Sequence, residues 1–231
     1  FLQPGMYVTL DTFEKHIKYI SRNYRVISIE ELLYTKAPKR SCIISFDDGW
    51  ADNYTYAFSV LKRYEIPATI SLATNLVGTN KWPWPDRISF YIHSVPFHTF
   101  MDALDAGLRE SGKDELTLRK AYNKKDKAEE VLEYMKQFDQ NSLTSVMRYM
   151  DRAMSTQFEK LMEIRPWLTW DEVLEMSQHN ITFGAHTHNH TILTNVSLEQ
   201  AENEISLSKE ILTKKIEKPV GVFCFPNGNY N

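Results

Sequence analysis

Cysteine is nearly absent: the 231 residues include two, Cys42 and Cys224, too few for a cysteine-built zinc site or a disulfide framework. Both fall in apolar, strand-like runs and read as free buried thiols. No stretch approaches the roughly 18 consecutive apolar residues of a membrane span. The first residues also lack the basic-then-apolar pattern of a secretory signal. A strong charge of one sign is missing too, since the formal net charge is -3, and this excludes the basic footprint of a nucleic-acid binder. Neither an internal repeat nor a low-complexity segment is present. The chain starts at Phe1 rather than at methionine and reads as a fragment or a processed form, so its N-terminus says nothing of its compartment.

What is present is enough apolar content, 42%, for one large domain with a proper core. Met6–Val8 reads as a short strand. Thr9 then caps a helix with Phe13, Ile17, Ile20 and Tyr24 on one face. Arg25–Ile27 reads as a strand, and Ser28 with Glu31 has the spacing of a capping box. Ser41–Phe46 is the next strand, a helix follows through Tyr54, Phe58 and Leu61, and Ala68–Ala73 is strand again. This alternation predicts a parallel sheet or barrel with right-handed crossovers. It stops at residues 74–87, where Trp82-Pro83-Trp84-Pro85 is expected to be neither helix nor sheet.

Residues from about 86 to 165 read as a helical insertion. Val131, Leu132, Met135 and Phe138 share one face, Leu143, Met147, Met150 and Met154 another, and the charges of residues 124–130 are solvated. Alternation resumes with a capping box at Thr169–Glu172, a strand at Ile181–Phe183, and a second box at Ser197–Gln200. That box opens a helix with Leu198, Ala201, Ile205, Ser208 and Leu212 on one side. A last strand is expected at Val220–Phe225, turning off at Pro226-Asn227-Gly228.

Two places carry candidate chemistry. The apolar run Cys42–Phe46 stops at Asp47-Asp48-Gly49, and the strand ending at Phe183 runs into His186-Thr187-His188-Asn189-His190. In an α/β fold the ends of successive strands converge on one face, where ligands bind. One carboxylate can hold a dication while its neighbour holds a proton, because the ion keeps both acids ionised. His186 and His190, four apart, can address one ion. Two imidazoles and one carboxylate form a borderline donor set that suits zinc, with cobalt, nickel or iron also admitted. Such an ion brings the pKa of water toward roughly 7, and a neighbouring carboxylate can take the proton as water attacks a carbonyl. Trp82 and Trp84 read either as a wall for stacking sugars or as a hydrophobic clamp on the insertion. His16, His93, His98 and His179 have no such context.

These residues resemble the polysaccharide deacetylase family, the NodB-homology or carbohydrate esterase 4 group. Ser45-Phe46-Asp47-Asp48-Gly49 is similar to its first motif, and His186-Thr187-His188-Asn189-His190 to its second. The resemblance spans roughly Val8–Ala73 and Trp167–Gly228 and implies a distorted (β/α) barrel; the chain then reads as one such domain over 1–231, with the helical insertion at about 86–165 left outside the resemblance. It makes Asp47 the general base and Asp48, His186 and His190 the ligands of one divalent ion, zinc first. His188 falls on a variable position. The third motif meets Cys224-Phe225-Pro226-Asn227, without the arginine that would orient the base, which leaves the backbone N–H of Asn227 to polarise the carbonyl. The chain also stops at Asn231, before the segments that usually supply closing strands and a histidine acid, so a barrel incomplete at its C-terminal end is expected. The implied activity is removal of acetyl groups from N-acetylated sugars of a cell-surface or extracellular polysaccharide. The alternatives are an O-acetyl esterase and a non-catalytic glycan-binding module.

Overall fold

The computed structural model describes residues 8–114 and 124–230. Two compact units divide the chain: Thr9–Lys81 together with Arg165–Asn231, and Trp82–Ile164.

The first unit alternates helices with short parallel strands. Thr9 accepts from the N–H of Thr12 and opens α1, Leu10–Asn23, whose Ile17 is buried. Tyr24, expected on the buried face, instead ends the helix in extended conformation and is exposed. Met6 and Tyr7 of the expected first strand lie outside the described residues. β1 is Arg25–Val26, and Ser28 caps α2, Ile29–Tyr34. Glu31 does not complete that box, because its carboxylate takes the guanidinium of Arg25 at 2.8 Å.

The expected strand Ser41–Phe46 is two strands. β2, Ser41–Cys42, pairs with β1, whereas β3, Ser45–Phe46, pairs with β4, Ala68–Leu72. Ile43 and Ile44 carry the chain from one sheet to the other, a break that an unbroken apolar run hides. Between β3 and β4 lie a wide helical turn at Asn53–Phe58 and α3, Ser59–Arg63. β4 is buried at every residue, as a strand covered on both faces must be, and β5, Ile181–Ala185, completes the parallel order β3-β4-β5.

Among its described residues the second unit holds five helices: α4, Trp84–Ser94; α5, Phe97–Glu110; α6, Lys124–Met135; α7, Gln140–Ala153; and α8, Ser155–Met162. α4 starts inside the tryptophan–proline stretch that was expected to exclude helix. Pro85 falls in its first turn, where a missing N–H costs no intrahelical bond. The unit has its own core, in which Val131, Met135, Leu143, Met147, Met150 and Met154 are buried against Ile88, Tyr91, Phe100 and Leu104.

Back in the first unit, Thr169 and Glu172 form a complete capping box on α9, Trp170–Met176, and Ser197 and Gln200 another on α10, Leu198–Ile216. The buried face of α10 is Glu204, Ser208, Leu212 and Ile216, while Leu198 is 90% exposed. The apolar periodicity therefore missed a buried acid. Val220–Phe225 is not a regular strand. A single parallel bridge joins Phe223 to Ala185, with Ala185 N–H on the carbonyl of Val222 and Cys224 N–H on that of Ala185, both at 2.9 Å. Pro219, Gly221 and Pro226 interrupt longer pairing. Gly184 makes the approach possible, because a Cβ there would stand 3.0 Å from Cγ1 of Val222. Among the described residues, no helix is long and apolar enough to cross a membrane.

Candidate metal centre

β3 delivers Asp47 and Asp48 into a tight turn in which Gly49 N–H reaches the Asp47 carbonyl at 2.9 Å. Asp48 at φ 70 and Gly49 at φ 83 are both left-handed. A Cβ on Gly49 would lie 2.3 Å from Cδ2 of buried Leu72, so glycine is required twice over, by conformation and by space. The turn aims the Asp48 side chain inward and leaves Asp47 exposed.

The second half comes from the end of β5. His186 is 2% exposed, its N–H bonds the Leu72 carbonyl at 3.0 Å, and its Nδ1 donates to the Cys224 carbonyl at 2.9 Å. That bond fixes the tautomer and leaves the Nε2 lone pair free to face Asp48. Thr187 at φ 61 and His190 at φ 57 bend the loop back. The two imidazole centroids come to 5.0 Å, with Nε2 of His186 and His190 at 3.4 and 3.1 Å from Oδ1 of Asp48.

Among the described residues, Asp48, His186 and His190 form the one group whose ligand atoms all lie within 4.8 Å of one another. Oδ1 of Asp48 is fully buried and accepts no hydrogen bond of good geometry, while Oδ2 takes the indole N–H of Trp50 at 3.2 Å. An orphaned carboxylate oxygen facing two imidazole nitrogens fits a divalent cation with borderline N/O preference. The electrostatics keep Asp48 ionised. Burial works to raise the Asp48 carboxyl, but pairing with His186 and His190 outweighs it and holds the group well below the usual carboxylate range. Burial likewise opposes charge on His186, yet Asp48 and the Cys224 carbonyl raise it.

Asp47 stands beside this group, and its Oδ1 receives the thiol of Cys224 at 3.5 Å. Burial and the charge of Asp47 push that thiol up, so it is a neutral donor. His188 turns away to pair through Nδ1 with Thr74 at 2.9 Å, outside the group of three. Asn227 lies exposed in the turn Pro226–Gly228, left-handed at φ 56, and among the described residues makes no hydrogen bond to Asp47, Asp48, His186 or His190. Trp82 and Trp84 belong to the helical unit. Trp82 is 8% exposed and donates to the Ile164 carbonyl at 3.2 Å, which fits a clamp and leaves no open face for a sugar. Trp84 lines a groove of about 590 Å³ in that unit with Leu143, Met147 and Phe158.

Two supporting residues were not legible from motif spacing. Trp50 both donates to Asp48 and packs at a tilt on buried Trp167, with ring centroids 4.3 Å apart. An aromatic donor two residues past a ligand carboxylate was the available signal. Cys224 supports two groups at once, Asp47 by its thiol and His186 by its carbonyl.

The sequence model of the family described as polysaccharide deacetylase matches residues 34–231. A poly-beta-1,6-N-acetyl-D-glucosamine N-deacetylase of Staphylococcus aureus (strain MSSA476) is 38% identical over 87 residues, 36% of this chain and 30% of that protein. The match thus spans under a third of that relative's length. Among solved structures, IcaB from Ammonifex degensii superposes with a TM-score of 0.58 at 13% identity, covering 100% of this chain and 72% of that one. The Streptococcus pyogenes deacetylase PplD, in complex with acetate, gives 0.54 at 20% identity, covering 97% and 65%. At such identities the structures speak for the fold, the distorted (β/α) barrel of NodB type.

Proposed function

The chain belongs to the polysaccharide deacetylase family, and we propose that it is a metal-dependent hydrolase that removes acetyl groups from N-acetylated sugars of a cell-surface or extracellular polysaccharide. The observation that carries this reading is the meeting of Asp48, His186 and His190 within 4.8 Å beside the exposed Asp47. Those three residues would hold one divalent ion, zinc by the donor set, and when bound it would supply Lewis acidity and a lowered pKa for water.

The remaining work belongs to the chain's own groups. Asp47 is the general base: its carboxylate accepts a proton from the water that attacks the acetyl carbonyl, and a proton goes to the nitrogen as the C–N bond breaks, so that acetate and the free amine leave. The Cys224 thiol, donating to Oδ1, fixes one oxygen of that base and leaves the other to the water. Trp50 holds Oδ2 of Asp48, so that Oδ1 alone points toward the imidazoles. The Cys224 carbonyl on Nδ1 keeps His186 in its donating orientation. The backbone N–H of Asn227 is the candidate donor to the oxygen that gains charge as the carbonyl is attacked.

The test is release of acetate from N-acetylglucosamine oligomers by the zinc-loaded protein. Asp47→Asn should retain zinc and lower turnover by roughly 10² to 10⁴, the usual range for a positioned base. Zinc-loaded wild type releasing no acetate from any N-acetylated oligosaccharide would overturn the activity. Full turnover in Asp47→Asn would remove the base.

A further inference from the structure

Glu204 is the buried acid that the proposed chemistry leaves unused. It lies on the inward face of α10 with Ser208, Leu212 and Ile216, and it is 9% exposed. A carboxylate so placed is costly unless its charge is answered. No cation answers it among the described residues. Backbone does: Oε2 accepts the N–H groups of His188 and Asn189, each at 2.8 Å, and Oε1 accepts Nδ2 of Asn189 at 2.6 Å. Burial works to raise the carboxyl, but these bonds outweigh it and hold it down.

The two amides lie midway between His186 and His190. That short loop is costly to hold, because Thr187 and His190 sit at φ 61 and φ 57, and a β-branched residue there is an outlier. Residues kept in this region are strained and persist only when their surroundings over-determine them. One carboxylate collecting two successive N–H groups and a side-chain amide is such a determinant. The bend it fixes is what turns His190 back toward Asp48, since without it the second imidazole would follow the strand direction away from the first.

We infer that Glu204 is a positioning residue for the histidine pair: it touches neither ion nor substrate, and sets the 187–190 loop so that both Nε2 atoms face Asp48. The inference rests on the reading that Asp48, His186 and His190 hold a divalent ion. Its test is zinc affinity, measured on folded, chelator-stripped protein by competition with a chromophoric chelator, well below the unfolding temperature. Glu204→Gln keeps the size but turns an NH₂ toward donors. It should raise the zinc Kd by roughly 10- to 100-fold, as loss of outer-shell support does. Hydrogen exchange in the metal-free protein should show the His188 and Asn189 amides losing protection.

Ser208→Ala, on the same buried face, is the control: it should lower the unfolding temperature and leave the zinc Kd unchanged. If Glu204→Gln does not fold, Glu204→Asp, which keeps the charge with a shorter reach, carries the test and should still weaken zinc. Wild type that binds zinc, with either folded Glu204 variant matching its affinity, would overturn the inference alone. Wild type that binds no zinc would overturn the reading beneath it.

Discussion

The two units solve opposite problems with one chain. The described residues of 82–164 form regular helices around an almost wholly apolar core, while the unit of 9–81 and 165–231 sets helices around strands only two to five residues long. Among the described residues, eight other than glycine have positive φ, and all eight fall in the unit of 9–81 and 165–231. Four of them, Asp48, Thr187, His190 and Asn227, lie in the two loops and the turn assigned to chemistry. Left-handed backbone has collected where side chains must meet one point in space, and the described residues of the helical unit show it only at glycine. The lesson is about cost: one unit maximises burial, and the other gives some of it up to aim three ligands.

The largest effect that sharpens this contrast is on the helical side. Phe100 is fully buried in that core, and Phe100→Ala should cost about 3–5 kcal/mol by calorimetric or denaturant unfolding. The folded variant should bind zinc as wild type does. A tenfold loss of zinc affinity in the folded variant would break the division of labour.

Next in size is Gly49→Ala, where the new methyl meets Leu72 at 2.3 Å and the backbone stays left-handed. Overpacking and strain together should cost about 1–3 kcal/mol, and here zinc affinity should fall as well, because Asp48 shares the turn. Stability loss with untouched affinity would mean that the turn does not aim the ligand.

The smallest effect belongs to Cys224→Ala, which deletes one weak donor to Asp47 and keeps the carbonyl that holds His186. Losing about 1 kcal/mol should lower turnover roughly fivefold without changing zinc affinity, and Cys224→Ser should recover most of it. Equal turnover in all three proteins would leave the thiol without a role.

Much of this was legible in the residues, and the failures share a cause. Capping boxes at Thr169 and Ser197, the cap at Thr9 and the buried methionines of α7 follow from local spacing, and local geometry delivered them. The motif residues Asp48, His186 and His190 meet as strand-end topology suggests. What spacing did not reveal depends on partners far along the chain. The strand at residues 41–46 breaks because two different strands claim its halves, and Val220–Phe225 keeps one bridge because proline and glycine interrupt it. Glu204 is buried because a loop fifteen and sixteen residues earlier needs its oxygens. Pro85 misled in the other direction, since a proline that ends most helices is welcome in the first turn of one.

The central claim is that Asp48, His186 and His190 hold one ion. Its most direct test is a crystal of the zinc-loaded protein, with anomalous diffraction collected on both sides of the zinc edge. The account predicts one strong peak about 2.0–2.2 Å from a carboxylate oxygen of Asp48 and from Nε2 of both histidines. Zinc bound stoichiometrically with its peak elsewhere, or no peak among these three side chains at saturating zinc, would contradict it.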